Sequence, residues 1–173
     1  RTAQKTNQIS NIKQFRIMKK NITIERVINV YKALDGAKMS KLETADRYLL
    51  IRALRPMRRI DADFAEFRED AVKRLRPDNY DDIAAKVNKF NALKTVEERE
   101  AAIEDTATRE ALEANYKFNT EVTECVKDEL GREVELEFAP LSEDAFGKLM
   151  ESNPDWALGL IAEIEDVLTE NKE

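Results

Sequence analysis

The chain has 173 residues, with 29 lysines and arginines against 35 aspartates and glutamates, one cysteine and no histidine. These counts exclude a Ser-His-Asp or Cys-His catalytic relay, an imidazole metal site and an internal disulfide. The apolar runs are too short for a membrane span, and the scarcity of glycine argues against glycine-rich phosphate loops. The composition therefore predicts an acidic, cytoplasmic, mainly helical protein.

The first 24 residues contain several lysines and arginines and no acidic residue. The chain begins with Arg1, whereas Met18 followed by two lysines resembles an ordinary start of translation. This pattern predicts that residues 1–17 are a disordered or non-native N-terminal extension. Residues 18–173 are then expected to form a single, mainly helical domain.

Two helices are predicted first, over 24–35 and 41–75, and a short turn between them would make an antiparallel hairpin. Ser40 and Glu43 have the spacing of a capping box, which predicts the start of the second helix. Its apolar residues recur every three or four positions and fill an arc of about 140° on a helical wheel. Pro56 lies inside this pattern, so we expect it to kink the helix without ending it.

A shorter helix follows, whose inward residues are expected to be Ile83, Val87, Phe90 and Leu93. Thr95 and Glu98 form a second capping box, which predicts one long helix over 96–126. The apolar stripe of this helix is mostly alanine, so little apolar area is buried and the helix should be the most exposed long one. Its exposed apolar area is a candidate surface for a homodimer.

Apolar and acidic residues alternate over 134–138, which predicts a half-buried strand. Its partner is either the region near 21–24 or 121–127 read as strand instead of helix. Ser142 is expected to cap the next helix, and Asn153 with Pro154 to begin the last one. The fold class is therefore mainly α: a helical hairpin and further helices, about five or six in all, with one small β element.

Five arginines share one face of the predicted helix 41–75, on an arc of about 140° opposite the apolar stripe. They are Arg47, Arg52, Arg55, Arg58 and Arg59. Such a face can bind an acidic protein or phosphates, although it can equally be solvated or paired with nearby acids, as Arg59 could be with Asp63. The acidity of the chain argues against nucleic acid, so we select these arginines as the partner-binding residues.

Three pairs of glutamates have the spacing of magnesium ligands in helical nucleotide pyrophosphohydrolases: Glu66 with Glu69, Glu97 with Glu100, and Glu121 with Glu124. No Glu-x-x-Asp follows them at a convincing distance, and a chain this acidic produces such pairs by chance. An acidic mimic of nucleic acid is another alternative function. Cys125 lies on the apolar side of its helix, which favours a buried core thiol over a nucleophile. We predict no catalytic residue, no metal site and no cofactor.

The layout resembles that of small proteins of unknown function encoded by tailed phages and prophages. The similar parts are Thr23–Leu75 and Val122–Leu168, the second of which contains the predicted strand and the Pro140-Leu141-Ser142 helix start. The resemblance implies a mobile-element origin and a cytoplasmic, non-enzymatic role. It brings no known catalytic or binding residues. Our functional hypothesis is protein–protein binding through helical surfaces, as an assembly or regulatory accessory.

Overall fold

The computed structural model describes residues 16–170, and its helices and strands follow one another in a simple order. The elements are β1 (Met18–Thr23), α1 (Ile24–Asp35), α2 (Thr44–Leu75), α3 (Tyr80–Asn91), α4 (Val96–Glu104), α5 (Thr106–Leu130), β2 (Glu133–Phe138), α6 (Glu143–Ser152) and α7 (Leu158–Leu168). The mainly helical class with one small antiparallel sheet is confirmed, with seven helices between residues 16 and 170 instead of five or six. Residues 1–15 of the predicted extension lie outside the described residues.

Contacts between backbone positions divide the described residues into two compact units. The terminal unit comprises 16–22, 26–60 and 133–170, and the middle unit comprises 23–25 and 61–132. Helix α2 contributes its first part to the terminal unit and its last part to the middle unit. The division does not test whether 18–173 is a single domain, which stays a prediction.

The terminal unit is built around one cluster of buried apolar side chains, which come from both strands and from four helices. Its fully buried members include Val27 from α1, Met57 from α2, Leu149 from α6 and Ile164 from α7. Removing a side chain of this size from water contributes roughly 1.5–3 kcal/mol. Helices α1 and α2 bury residues in the same cluster, as a hairpin requires, and their antiparallel arrangement stays a prediction.

Strand β2 has the alternation that its sequence predicted. Leu136 and Phe138 are buried, whereas the glutamates between them are exposed. Its partner is β1, so of the two candidate regions the one near 21–24 pairs, and 121–127 is helical within α5. On the exposed side, Lys19 of β1 forms ion pairs with Glu135 at 3.2 Å and Glu137 at 2.5 Å.

The middle unit is organised around α5, against which both α3 and α4 pack. The ring of Tyr80 meets that of Phe118 edge-on, with 5.4 Å between the centroids. Ile83 and Phe118 are buried, and Val87 and Phe90 of α3 are half-buried. Leu93, also predicted to face inward, is half-buried but lies after the end of the helix at Asn91. The predicted inward face of α3 therefore does face the interior of the middle unit, where α3 packs against α5.

The prediction of one helix over 96–126 is wrong, because the helix is interrupted at Asp105. This residue has an extended backbone (ψ 118°), and its carboxylate accepts hydrogen bonds from the backbone N–H of Thr108 at 3.0 Å and from its hydroxyl at 2.7 Å. Asp105 is thus the N-cap of α5, and this break adds a helix to the predicted number. The capping box of Thr95 and Glu98 at the start of α4 is confirmed.

The predicted start of α2 at Ser40 is also wrong, since the helix begins at Thr44. The turn before it is held by tertiary contacts: the N–H of Lys41 donates to the hydroxyl of Ser152 at 3.0 Å, and Leu42 is buried. These contacts keep the segment out of helical geometry. Pro56 lies within α2, which confirms that it does not end the helix.

Of the two helix caps predicted near the C-terminus, one is confirmed and the other is wrong. The hydroxyl of Ser142 accepts a hydrogen bond from the N–H of Ala145 at 3.1 Å, which confirms Ser142 as the N-cap of α6. Asn153, in contrast, follows the last residue of α6, and α7 begins only at Leu158. The side chain of Asn153 is used elsewhere in the terminal unit, as described below.

Candidate partner-binding surface

The five predicted arginines all lie on the first part of α2, within the terminal unit, and all five are exposed. The opposite side of the same helix is buried, with Leu50 and Met57 fully enclosed and Ala53 2% exposed. An amphipathic helix must place its polar face outward when its apolar face enters a core. The helical wheel therefore placed these arginines correctly.

Arg47 differs from the other four because its guanidinium group is used by the fold. Its Nε donates to the carbonyl oxygen of Leu42 at 2.9 Å, and its Nη2 donates to that of Ser40 at 3.4 Å. Both carbonyls belong to the turn that precedes α2. Arg47 thus satisfies two backbone acceptors of this turn, and its first role is structural.

Arg52 lies close to an exposed aromatic ring on the same helix. The guanidinium carbon is 5.8 Å from the centroid of the Tyr48 ring, within the range of a cation–π contact. At an exposed site such a contact contributes on the order of 0.5–1 kcal/mol. It orders the two side chains relative to each other and leaves the donors of Arg52 free of any carboxylate among residues 16–170.

The side chains of Arg55, Arg58 and Arg59 form neither an ion pair nor a hydrogen bond with any other residue between 16 and 170. The suggested pairing of Arg59 with Asp63 is not formed. Of the alternatives to partner binding, pairing with nearby acids therefore finds no support in this part of the chain. A solvated face remains as the other interpretation.

Two exposed apolar residues that the apolar pattern of α2 did not indicate lie among the arginines. Tyr48 is 53% exposed and Ile51 is 43% exposed. At 100° per residue, both fall inside the arc of the arginines, so a wheel that included apolar residues would have found them. We define the basic surface as the exposed residues of this face: Arg47, Tyr48, Ile51, Arg52, Arg55, Arg58 and Arg59.

The basic surface is positive although the chain is negative. Asp46 is the one acidic residue of α2 before Asp61, whereas the whole chain has a formal net charge of −6. Charges separated by more than about 8–10 Å are largely screened at physiological salt. A ligand at this surface therefore responds mainly to the arginines themselves and not to the net charge.

The other candidate residues do not form a site. Between residues 16 and 170, no group of three or more Asp, Glu or Cys side chains could hold a metal ion. The convergence of Glu66, Glu97 and Glu121 that a magnesium-dependent hydrolase would require is thus not found. Cys125 is half-buried and less enclosed than predicted, with its Sγ 3.5 Å from Nη2 of Arg74.

Comparison of the chain with protein-family models, with curated proteins and with solved structures finds no match. The resemblance to phage-encoded proteins therefore stays a prediction. Among the described residues, every helix is too short or too polar to cross a lipid bilayer.

Proposed function

We propose that this protein acts without catalysis, by binding an acidic protein partner through the basic surface. The observation that carries the proposal is the group Arg55, Arg58 and Arg59, which have no ion-pair partner in the described chain and which surround the exposed side chains of Tyr48 and Ile51. From the resemblance, we place this activity in the cytoplasm, as an accessory function of a mobile element in assembly or regulation.

The chemistry of the surface favours a protein as the ligand. Arginine and tyrosine are enriched in protein interfaces, where apolar contacts lie at the centre and charged groups at the rim. Tyr48 and Ile51 supply the apolar part, and the guanidinium groups supply paired donors that match carboxylates. Complementary charge would also accelerate encounter with an acidic partner.

Photo-crosslinking tests which molecule contacts the surface. A photoreactive residue in place of Tyr48 should crosslink one predominant acidic protein in cells of the native host. The control carries the same residue in place of Tyr116, which is 74% exposed on α5. Crosslinks to nucleic acid at position 48, or the same products from both positions, would overturn the proposal.

Charge reversal tests whether the arginines cause the binding. Arg52→Glu combined with Arg55→Glu should abolish capture of the crosslinked partner while circular dichroism stays unchanged, because neither arginine has an ion pair to lose. Lys32→Glu combined with Lys38→Glu makes the same change of charge elsewhere in the terminal unit and should leave capture intact. Capture that survives the arginine reversal would exclude the basic surface.

A further inference from the structure

The middle unit contains an open apolar groove of about 720 Å³ between the last turns of α2 and the last turns of α5. Its apolar lining consists of Val72, Val122, Val126 and Leu130, all half-buried. Exposed apolar lining in a groove of this size is typical of a site that another molecule covers.

The charged residues that line the groove are predominantly basic. They are Arg68, Lys73, Arg76 and Lys127, with Glu69 as the one acid in the lining. Lys73 lies 3.9 Å from Asp70, and the guanidinium group of Arg76 lies over the ring of Tyr80. Arg68 and Lys127 have no ion pair with any residue between 16 and 170. The groove therefore fits an occupant that combines apolar and negatively charged side chains.

Helix α4 presents such a combination on its outer face. Its inner face, with Ala101 and Ala102, lines a cavity that it shares with α3. Seven residues separate Val96 from Ile103, so the two lie within about 20° of each other on the opposite face. They are 66% and 41% exposed, and no residue of α4 is buried. Glu100 lies beside them and Glu104 at the edge of this face. Arg99 is the basic residue next to Ile103, and its guanidinium group donates to the carbonyl oxygen of Leu93 at 3.0 Å.

The outer face of α4 cannot fill the groove of its own chain. Helix α4 meets the beginning of α5, at Thr106, whereas the groove begins at Val122 on the same helix. Sixteen residues of helix separate these points by about 24 Å. The acidic face and the basic groove can therefore meet only between two molecules.

We propose that the outer face of α4 in one molecule occupies the α2–α5 groove of a second copy of this chain. The contact joins two different surfaces, so one copy donates α4 and the other accepts it, either reciprocally in a closed pair or in a chain. The proposal concerns the middle unit and is independent of the basic surface in the terminal unit.

Sedimentation equilibrium of the full chain tests self-association. The wild-type protein should show a reversible, concentration-dependent increase in mass. Ile103→Asp places a charge in the apolar part of the α4 face, and Val126→Asp does the same in the groove. Each variant alone should therefore associate at least about tenfold more weakly. Tyr116→Asp places the same charge on an exposed part of α5 outside both surfaces and should associate like the wild type.

Mixing the two defective variants is the decisive measurement. The Val126→Asp protein keeps an intact α4 and the Ile103→Asp protein keeps an intact groove, so their mixture should form a 1:1 complex. If circular dichroism shows that Val126→Asp does not fold, Lys127→Glu replaces it, because Lys127 is exposed at the edge of the groove.

Three results would overturn the proposal. The first is a wild-type protein that stays monomeric at every concentration, and the second is a mixture of the two variants that fails to associate. The third is loss of self-association in the Arg52→Glu, Arg55→Glu protein, which would place α4 on the basic surface instead of in the groove. Failure to capture an acidic partner would leave this inference intact.

Discussion

The side chain of Asn153 binds the backbone of Lys38 through both polar atoms of its amide group. Its Nδ2 donates to the carbonyl oxygen of Lys38 and its Oδ1 accepts from the N–H of Lys38, each at 2.8 Å. Nδ2 also lies 2.9 Å from the carbonyl oxygen of Leu149. One side chain therefore fixes the connection between α1 and α2 to the end of α6 within the terminal unit.

Asn153→Asp should destabilise the protein, because a carboxylate can accept from the N–H of Lys38 but cannot donate to the two carbonyl oxygens. We expect the free energy of unfolding to fall by about 1–3 kcal/mol at neutral pH. Chemical denaturation measures this loss. Asn29→Asp, at an exposed position of α1 without such contacts, is the matched control and should change stability by less than about 0.5 kcal/mol.

Arg47→Ala should be the destabilising substitution within the basic surface, since Arg47 alone donates to backbone carbonyl groups there. Loss of these charge-assisted hydrogen bonds should lower the free energy of unfolding by about 1 kcal/mol. Arg58→Ala should stay within about 0.5 kcal/mol of the wild type. Equal effects in urea titrations of the two variants would contradict the structural role of Arg47.

Acid should weaken the start of α5 through Asp105. The hydrogen bonds from the hydroxyl and then from the backbone N–H of Thr108 lower the pKa of the Asp105 carboxyl below 3.8, the value of a free aspartate. Its contribution to stability is therefore complete above pH 3.8 and is lost as the pH falls through the lowered pKa of the folded state. Carboxyl-carbon NMR titration should give this lowered value directly.

Asp105→Asn provides the control for this pH dependence. Asparagine is also a good N-cap, yet it does not titrate, so the variant should fold and lack this part of the acid sensitivity. The stability difference between wild type and variant should shrink as the pH falls below 3.8. A difference that is constant with pH would show that Asp105 does not titrate with folding.

Pro56→Ala should stabilise α2. Proline inside a helix has no N–H to donate to the carbonyl oxygen of Arg52 and crowds that carbonyl group. Alanine restores the bond, so we expect the free energy of unfolding to rise by about 1–2 kcal/mol after allowing for the greater entropy of the unfolded chain. Pro77→Ala, in the connection between α2 and α3, should not stabilise the protein. Thermal unfolding of both variants makes the comparison.

The sequence correctly predicted the elements whose formation depends on residues close together in the chain. Helix α1 has the predicted bounds because its apolar period is regular, and β2 has the predicted alternation. The break at Asp105 was missed because Ile103 and Ala107 continue the apolar stripe across it. Asp105 and Thr108 are nevertheless only three residues apart, so the N-cap that they form could have been predicted from the sequence.

The features that could not be predicted from the sequence depend on contacts between segments that are distant in the chain. Asn153 followed by proline has the pattern of a helix start, but its side chain is bound to Lys38, far away in the chain. The five arginines were found from the helical period alone. Which of them the fold uses depended on the turn before α2, since only Arg47 reaches the carbonyl groups of that turn.

The pairing of β1 with β2 also determines the order in which the protein can be completed during synthesis. Lys19 and Glu135, which meet across the sheet, are 116 positions apart. The whole middle unit lies between them, so its residues leave the ribosome before β1 can find its partner. Contacts that close so long a segment form slowly. The apolar cluster around α1 therefore stays incomplete until β2, α6 and α7 have been made, although α2 can already supply part of it.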